Sequence, residues 1–135
     1  LDGAGRRTLY QEVRRNFLSP MMLAFDMPQP LSTFGRRTAS NVPAQALIMM
    51  NDPFVVEQAK LWGKRMLAAG PDDGARVRAA YALAFSREPS DAEQVTASAF
   101  LTAQAKAHGE AQPGEKAWAD FCHALLNVKE FVFLN

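Results

Sequence analysis

Apolar residues recur at helical spacing along most of the chain. The clearest case lies near the C-terminus, where positions i, i+3, i+4, i+7 and i+8 are all apolar. This spacing places the side chains on one face of a helix and predicts that the face is buried. No segment of the sequence shows the apolar–polar alternation of a strand bounded by hairpin turns. The residues of the C-terminal pattern are Trp118, Phe121, Cys122, Leu125 and Leu126.

Helix start signals divide the rest of the chain. A capping-box spacing begins at Thr8, Asp52 precedes a proline, and Ser90 is followed three positions later by a glutamate. Serine, threonine and aspartate at these positions accept hydrogen bonds from the free N–H groups in the first turn of a helix. Proline in that turn has no N–H group that needs an acceptor. We therefore predict an all-α fold, a compact orthogonal bundle of five or six helices with one long irregular loop that contains prolines and a glycine. The first predicted helix begins at Thr8, and the last contains the C-terminal pattern. Those between them are Met21–Phe25, Ala44–Met50, Pro53–Gly70, Asp73–Phe85 and Ser90–Ala107.

Three segments depart from this amphipathic pattern. Residues 18–38 hold three prolines and Gly35, so most of this segment is predicted to be irregular loop. Residues 44–50 are apolar nearly all round, which is typical of a helix at the centre of a core. Residues 130–134 are mostly apolar and form either a final half-turn or an extended tail.

Length and composition are those of an ordinary globular protein. The 135 residues predict a single domain spanning 1–135, and the net charge of +1 gives no general attraction to nucleic acid. The longest purely apolar run, Ala46–Met50, is far shorter than the roughly 18 residues that a membrane span needs. Because the chain begins with Leu1 and not with methionine, we expect it to be a fragment of a longer protein.

Residues suited to metal binding are few. Cys122, His108 and His123 are the soft ligands of the chain, and no second cysteine stands at ligand spacing. Cys122 and His123 are adjacent, about 100° apart on a helix, so they cannot converge on one ion. The sequence also lacks a Cys-x-x-Cys-His haem motif and a glycine-rich phosphate loop. We predict no metal and no cofactor in these 135 residues.

Three arginine doublets concentrate positive charge in the first 40 residues, which hold six arginines against three acids. Doublets seven or eight residues apart can line one side of a helix and bind a polyanion. Alternatively, their forked donors bridge carboxylates and carbonyls within the fold. The near-neutral net charge and the lack of interleaved aromatic residues favour the second interpretation, so no nucleic-acid partner is predicted. The doublets are Arg6-Arg7, Arg14-Arg15 and Arg36-Arg37.

Residues 24–38, AFDMPQPLSTFGRRT, contain the candidate site. Asp26 lies between two apolar residues, and a carboxylate buried there needs a partner. The nearest cations are Arg36 and Arg37, while residues 27–51 contain no second acid for acid–base chemistry. We therefore predict that Asp26 and these arginines form a structural clasp. The alternative is a working site built from the same residues.

An ordered set of short motifs runs along nearly the whole chain. They are RRTLY (6–10), VRRN (13–16), SPM (19–21), AFDMP (24–28), GRR (35–37), VPAQAL (42–47), MNDPFV (50–55), REP (87–89) with Glu93, and LLN (125–127) with EF (130–131). Together they resemble the C-terminal half of the planctomycete-type domain of unknown function 1553. Asn51 lies in one of these motifs and joins Asp26, Arg36 and Arg37 as a candidate binding or clasp residue. The chain departs from the commoner pattern at Val128-Lys129, where a small polar pair is more typical.

The resemblance implies a place in a larger protein. Such domains form the last, C-terminal module of long multidomain chains, behind another uncharacterised domain and often a cytochrome-c-like haem domain. Those chains are usually exported, which implies an extracytoplasmic location, periplasmic or in the cell envelope. The resemblance assigns no catalytic residue.

Two functions follow from these observations. In the first, the chain is a helical structural or interaction domain that docks on other domains of its own chain. In the second, it is an accessory part of an extracytoplasmic enzyme, redox-linked or acting on polysaccharide, with Asp26, Arg36 and Arg37 at the site. We favour the first, because the acids and histidines are too few for a self-contained active site.

Overall fold

The computed structural model describes Tyr10, residues 18–27 and residues 42–132. These residues form seven α-helices and no strand, so the predicted all-α fold is confirmed. The number exceeds the five or six expected, partly because the C-terminal tail forms a four-residue helix. The helix predicted from Thr8 lies outside the described residues. The helices are α1 (Pro20–Ala24), α2 (Val42–Asn51), α3 (Pro53–Leu67), α4 (Asp73–Phe85), α5 (Asp91–Ala107), α6 (Glu115–Leu126) and α7 (Lys129–Val132).

The chain divides into two compact units, Leu1–Phe54 and Val55–Asn135. In the first unit, α1 packs against α2. In the second unit, α5 packs along α6, α4 packs against both of them, and α7 lies beside α4 and α6. That the 135 residues act as one domain stays a prediction.

The position predicted for α2, at the centre of a core, is wrong. Gln45 and Met49 are buried, but Leu47 is 61% and Met50 is 57% exposed. The two buried residues are four positions apart and define a single covered side, so the apolar residues on the other side face solvent. Composition alone cannot show how many neighbours a helix has. Within the described ranges, no helix is both long and apolar enough to cross a membrane.

The hydrophobic core of the second unit is centred on α6. Trp118 and Cys122 are fully buried, and the Trp118 ring meets Phe121 edge-on, with centroids 5.6 Å apart. Four of the five residues in the C-terminal apolar pattern are buried as predicted, and Leu126 is half-buried. The buried cluster comprises Met66, Val77, Ala80, Tyr81, Ala97, Leu101, Trp118, Phe121, Cys122 and Leu125.

Capping residues account for the helix starts. Asp72 accepts a hydrogen bond from the Ala75 amide at 2.8 Å and begins α4. Asp52 accepts one from the Phe54 amide at 2.9 Å at the start of α3. Ser90 and Glu93 form the capping box predicted for α5. These local bonds explain why the sequence alone indicates where α3, α4 and α5 begin.

Candidate functional site

A polar cluster around Arg87 joins the ends of three helices. Ser86 ends α4 in the left-handed conformation, with a φ of 56°, and Arg87 follows it directly. Glu93 lies in the first turn of α5, and Glu130 lies in α7. Glu130 is 43 residues from Arg87, so only the packing of α7 beside α4 brings the two together. We call Arg87, Glu93 and Glu130 the Arg87 cluster.

The guanidinium of Arg87 uses all five of its N–H donors. On one edge, Nη1 and Nη2 donate to the two carboxylate oxygens of Glu93, at 2.9 and 2.7 Å. On the other edge, Nε and Nη2 donate to the two oxygens of Glu130, at 2.8 and 2.9 Å. Nη1 also donates to the Glu88 carbonyl at 3.1 Å. Two bidentate pairs therefore fix the orientation of the planar group.

The flat face of Arg87 lies over two aromatic rings. Its central carbon is 5.6 Å from the ring centroid of Tyr81 and 5.6 Å from that of Phe85. The two rings meet edge-on, with centroids 5.3 Å apart. These distances are within the range of cation–π attraction, about 6 Å. Since Tyr81 belongs to the buried core, Arg87 connects that core to the two carboxylates at the surface.

Glu93 is itself held by the start of α5. Its Oε2 accepts hydrogen bonds from the Ser90 amide at 2.7 Å and from the Ser90 hydroxyl at 2.9 Å. The Glu93 amide in turn donates to the Ser90 hydroxyl oxygen at 3.3 Å. The capping box that begins the helix therefore also orients the carboxylate that Arg87 binds.

The charges of the cluster stabilise one another. Hydrogen bonds from Arg87 lower the pKa of Glu93 to about 2 and also lower the pKa of Glu130. The same bonds raise the pKa of Arg87. Burial, with a smaller contribution from Glu93, raises the pKa of Tyr81. At neutral pH the cluster holds one positive and two negative charges, and none of these groups is suited to exchange a proton near neutrality.

The geometry of the Arg87 cluster is that of a structural contact between helices. Because every N–H of Arg87 already has an acceptor, no donor is left for a further anion while both carboxylates are in place. The cluster links α4, α5 and α7 at a partly exposed surface.

The structure gives Asp26 a backbone role at the end of α1. Phe25 is the C-cap, and Asp26 follows it in the left-handed conformation, with a φ of 59°. The Met27 amide donates to the Met22 carbonyl at 2.9 Å, and the Asp26 amide donates to the Leu23 carbonyl at 3.2 Å. These two bonds form a Schellman motif, which requires a left-handed residue after the C-cap. Aspartate adopts this conformation more readily than most residues other than glycine.

The other candidate residues are placed only in part. Arg36 and Arg37 lie outside the described residues, so the clasp with Asp26 stays a prediction, and so does a working site at this loop. Asn51 is the last residue of α2, and its Nδ2 donates to the Leu47 carbonyl at 2.8 Å. The described contact of Asn51 is therefore local to its own helix.

A second polar pair joins α5 to α6. His108 is the C-cap of α5, and its Nε2 lies 2.6 Å from Oδ2 of Asp120 in α6.

Cys122 is fully buried, and burial raises the pKa of its thiol to about 12. The thiol therefore stays protonated at neutral pH and is a poor nucleophile. No group of three or more His, Cys, Asp or Glu side chains that could hold a metal ion occurs in the described part of the chain.

Sequence reasoning did not identify the Arg87 cluster as a unit. Its members stand in the quoted motifs REP with Glu93 and EF at 130–131, and Ser90 with Glu93 has capping-box spacing. The sequence feature that could have indicated the cluster is an arginine in the break between two helices, next to a capping box. Nothing in the sequence links this arginine to Glu130, which lies 43 residues further on.

Comparison with known proteins finds one matching family. Residues 2–101 match the family described as "Protein of unknown function (DUF1553)". The match ends within α5, so α6, α7 and the motifs at 125–131 lie beyond it. No curated protein and no solved structure matches the chain.

Proposed function

The chain belongs to the DUF1553 family, whose function is unknown, and we propose that it is a helical interaction module that docks on a neighbouring domain of its own chain. The docking surface in this proposal is the exposed apolar side of α2 in the first unit. It includes Leu47 and Met50, which are three positions apart and therefore share one face of the helix.

The distribution of exposed apolar side chains supports this proposal. Among the described residues, eleven large hydrophobic side chains are exposed, and six of them lie in the first unit, which contributes far fewer described residues than the second. Concentrated apolar surface is typical of interaction sites, whereas scattered single residues are ordinary. The six are Tyr10, Leu23, Phe25, Leu47, Met50 and Phe54.

The second unit provides the contrast. Its large side chains converge on the α6 core, and its described exposed hydrophobic residues are scattered singly over α3, α4, α5, α7 and the turn before α7. We therefore assign structural support to the second unit and the docking surface to the first. The proposal further includes an extracytoplasmic location, a cytochrome-c-like domain among the neighbours in some chains, and no cofactor within these 135 residues.

Titration calorimetry between the 135-residue chain and the separately produced neighbouring domain tests the proposal. We expect binding, and we expect Leu47→Ser and Met50→Ser each to weaken it by about tenfold, because each removes apolar area from the contact. Leu83→Ser is the matched control, since Leu83 is 53% exposed on α4 of the second unit. Absence of binding, or an equal loss from Leu83→Ser, would overturn the proposal.

A further inference from the structure

Glu130 connects α7 to the rest of the second unit. None of the four residues Lys129–Val132 is buried, and α7 packs at the surface of α4 and α6. The Glu130 carboxylate accepts two hydrogen bonds from Arg87, at 2.8 and 2.9 Å. Short elements with little buried surface open at a lower free energy than core helices do. We therefore expect α7 to separate from Arg87 far more often than α6 unfolds.

Several contacts that orient Arg87 do not involve α7. Its other edge is paired with Glu93, at 2.7 and 2.9 Å, and Nη1 donates to the Glu88 carbonyl. The rings of Tyr81 and Phe85 lie beneath the guanidinium. We therefore expect opening of α7 to leave Arg87 in place and to uncover its Nε–Nη2 edge as two oriented, parallel N–H donors.

We propose that the Nε–Nη2 edge of Arg87 is a carboxylate-binding site, which Glu130 occupies in the free chain and an acidic side chain of a partner segment occupies when α7 opens. Two parallel N–H donors match the two oxygens of a carboxylate. Because Glu93 already neutralises the guanidinium charge, recognition depends on this geometry and not on excess positive charge. The site therefore favours a planar carboxylate over a phosphate dianion.

Glu130 competes with any added ligand because it belongs to the same chain. A tethered group has an effective concentration on the order of millimolar, so a free carboxylate binds weakly while Glu130 is present. Glu130→Ala removes the competitor and leaves Arg87, Glu93 and both aromatic rings unchanged. The probe is sodium propionate, added while the ¹⁵N resonance of the Arg87 Nε–H group is recorded.

The expected result is a saturable shift of the Arg87 resonance in Glu130→Ala, at propionate concentrations roughly tenfold lower than the wild type needs. Sodium chloride and sodium phosphate at the same ionic strength should cause smaller shifts. Glu57→Ala, which removes an exposed acid of α3, is the control and should respond as the wild type does. Lack of a saturable shift in Glu130→Ala, or equal responses in Glu130→Ala and the wild type, would overturn the proposal.

Amide hydrogen exchange provides a second readout and does not require a substitution. We expect the amides of α7 to exchange much faster than those of α6 in the wild type. Exchange of α7 as slow as that of α6 would contradict the opening on which the site depends. Should Glu130→Ala fail to fold, Glu130→Gln, which keeps the size of the side chain, is titrated with propionate in the same way.

Discussion

Gly63 of α3 lies directly against the backbone of Ala119 in α6. A Cβ atom added to Gly63 would lie 2.6 Å from the Ala119 amide nitrogen and 2.8 Å from the carbonyl carbon of Trp118. Both distances are shorter than a non-bonded Cβ contact in proteins allows, so α3 and α6 pack backbone to backbone at this point. The close approach explains the glycine in the middle of α3, where helix propensity alone would favour alanine.

Gly63→Ala should destabilise the second unit. We expect the free energy of unfolding to fall by about 1–3 kcal/mol, because the helices must move apart. This loss outweighs the gain of about 1 kcal/mol in helix propensity. Gly74→Ala is the control, since the three atoms nearest to a Cβ there belong to side chains and not to backbone, those of Asp72 and Gln94 at 3.2 Å and that of Arg78 at 3.8 Å. Urea unfolding followed by circular dichroism measures both, and equal changes would contradict close packing at Gly63.

Acid should weaken the Arg87 cluster. The pKa of Glu93 is about 2 in the folded chain against an ordinary value of 4.5, and the pKa of Glu130 is also lowered. The stability that these depressed pKa values provide is therefore complete above pH 4.5 and is lost as the pH falls towards 2. Glu93→Gln keeps an acceptor for the Ser90 amide and removes the charge.

We expect the wild type to be more stable than Glu93→Gln at neutral pH, with the difference shrinking as the pH falls from 4.5 towards 2. Urea unfolding across this range measures the difference. Glu57→Gln, in an exposed pair with Lys60, should differ little from the wild type at any pH. A difference for Glu93→Gln that does not depend on pH would show that its charge is not what matters.

The Schellman motif at Asp26 predicts a difference between two substitutions that both remove the carboxylate. Glycine adopts the left-handed conformation at no cost, whereas alanine pays about 1 kcal/mol or more. We therefore expect Asp26→Gly to protect the amides of α1 from hydrogen exchange about fivefold better than Asp26→Ala. Equal protection would contradict the backbone role.

The clasp is tested separately by Asp26→Asn, which should lower the melting temperature if the charge is paired.

Because α6 supplies part of the hydrophobic core, we expect that residues 2–101, which match the family, do not fold alone. That part ends at residue 101, within α5, and lacks α6. Trp118 and Phe121 of α6 belong to the buried cluster, and Trp118 is one of its fully buried members. We expect residues 1–101 to show no cooperative thermal unfolding by circular dichroism and residues 1–132 to show it. A cooperative transition in the shorter chain would mean that α6 is dispensable.

The sequence was a good guide where local chemistry decides the structure. The start and end of α4 agree with the prediction, because Asp72 caps the start and the break after Phe85 ends it. The buried face of α6 was predicted from spacing alone. The burial of α2 was predicted wrongly, because an apolar composition does not reveal whether neighbours cover a helix on every side.

The candidate sites were less predictable for the same physical reason. Asp26 stood out as a carboxylate among apolar residues, but its described role depends on a left-handed backbone that its side chain does not reveal. Arg87 and Glu130 meet only because α7 packs beside α4, a tertiary contact that no local pattern encodes. Short-range signals indicate helix ends, and they do not indicate which ends come together.

Hydrogen exchange at α2 is the most direct test of the docking function proposed for the first unit. The amides of Val42–Asn51 are compared between the 135-residue chain and a longer natural chain that includes the neighbouring domain. We predict that the amides near Leu47 and Met50 exchange more slowly in the longer chain, while those of α6 are unchanged. Identical exchange of α2 in the two chains would contradict the account.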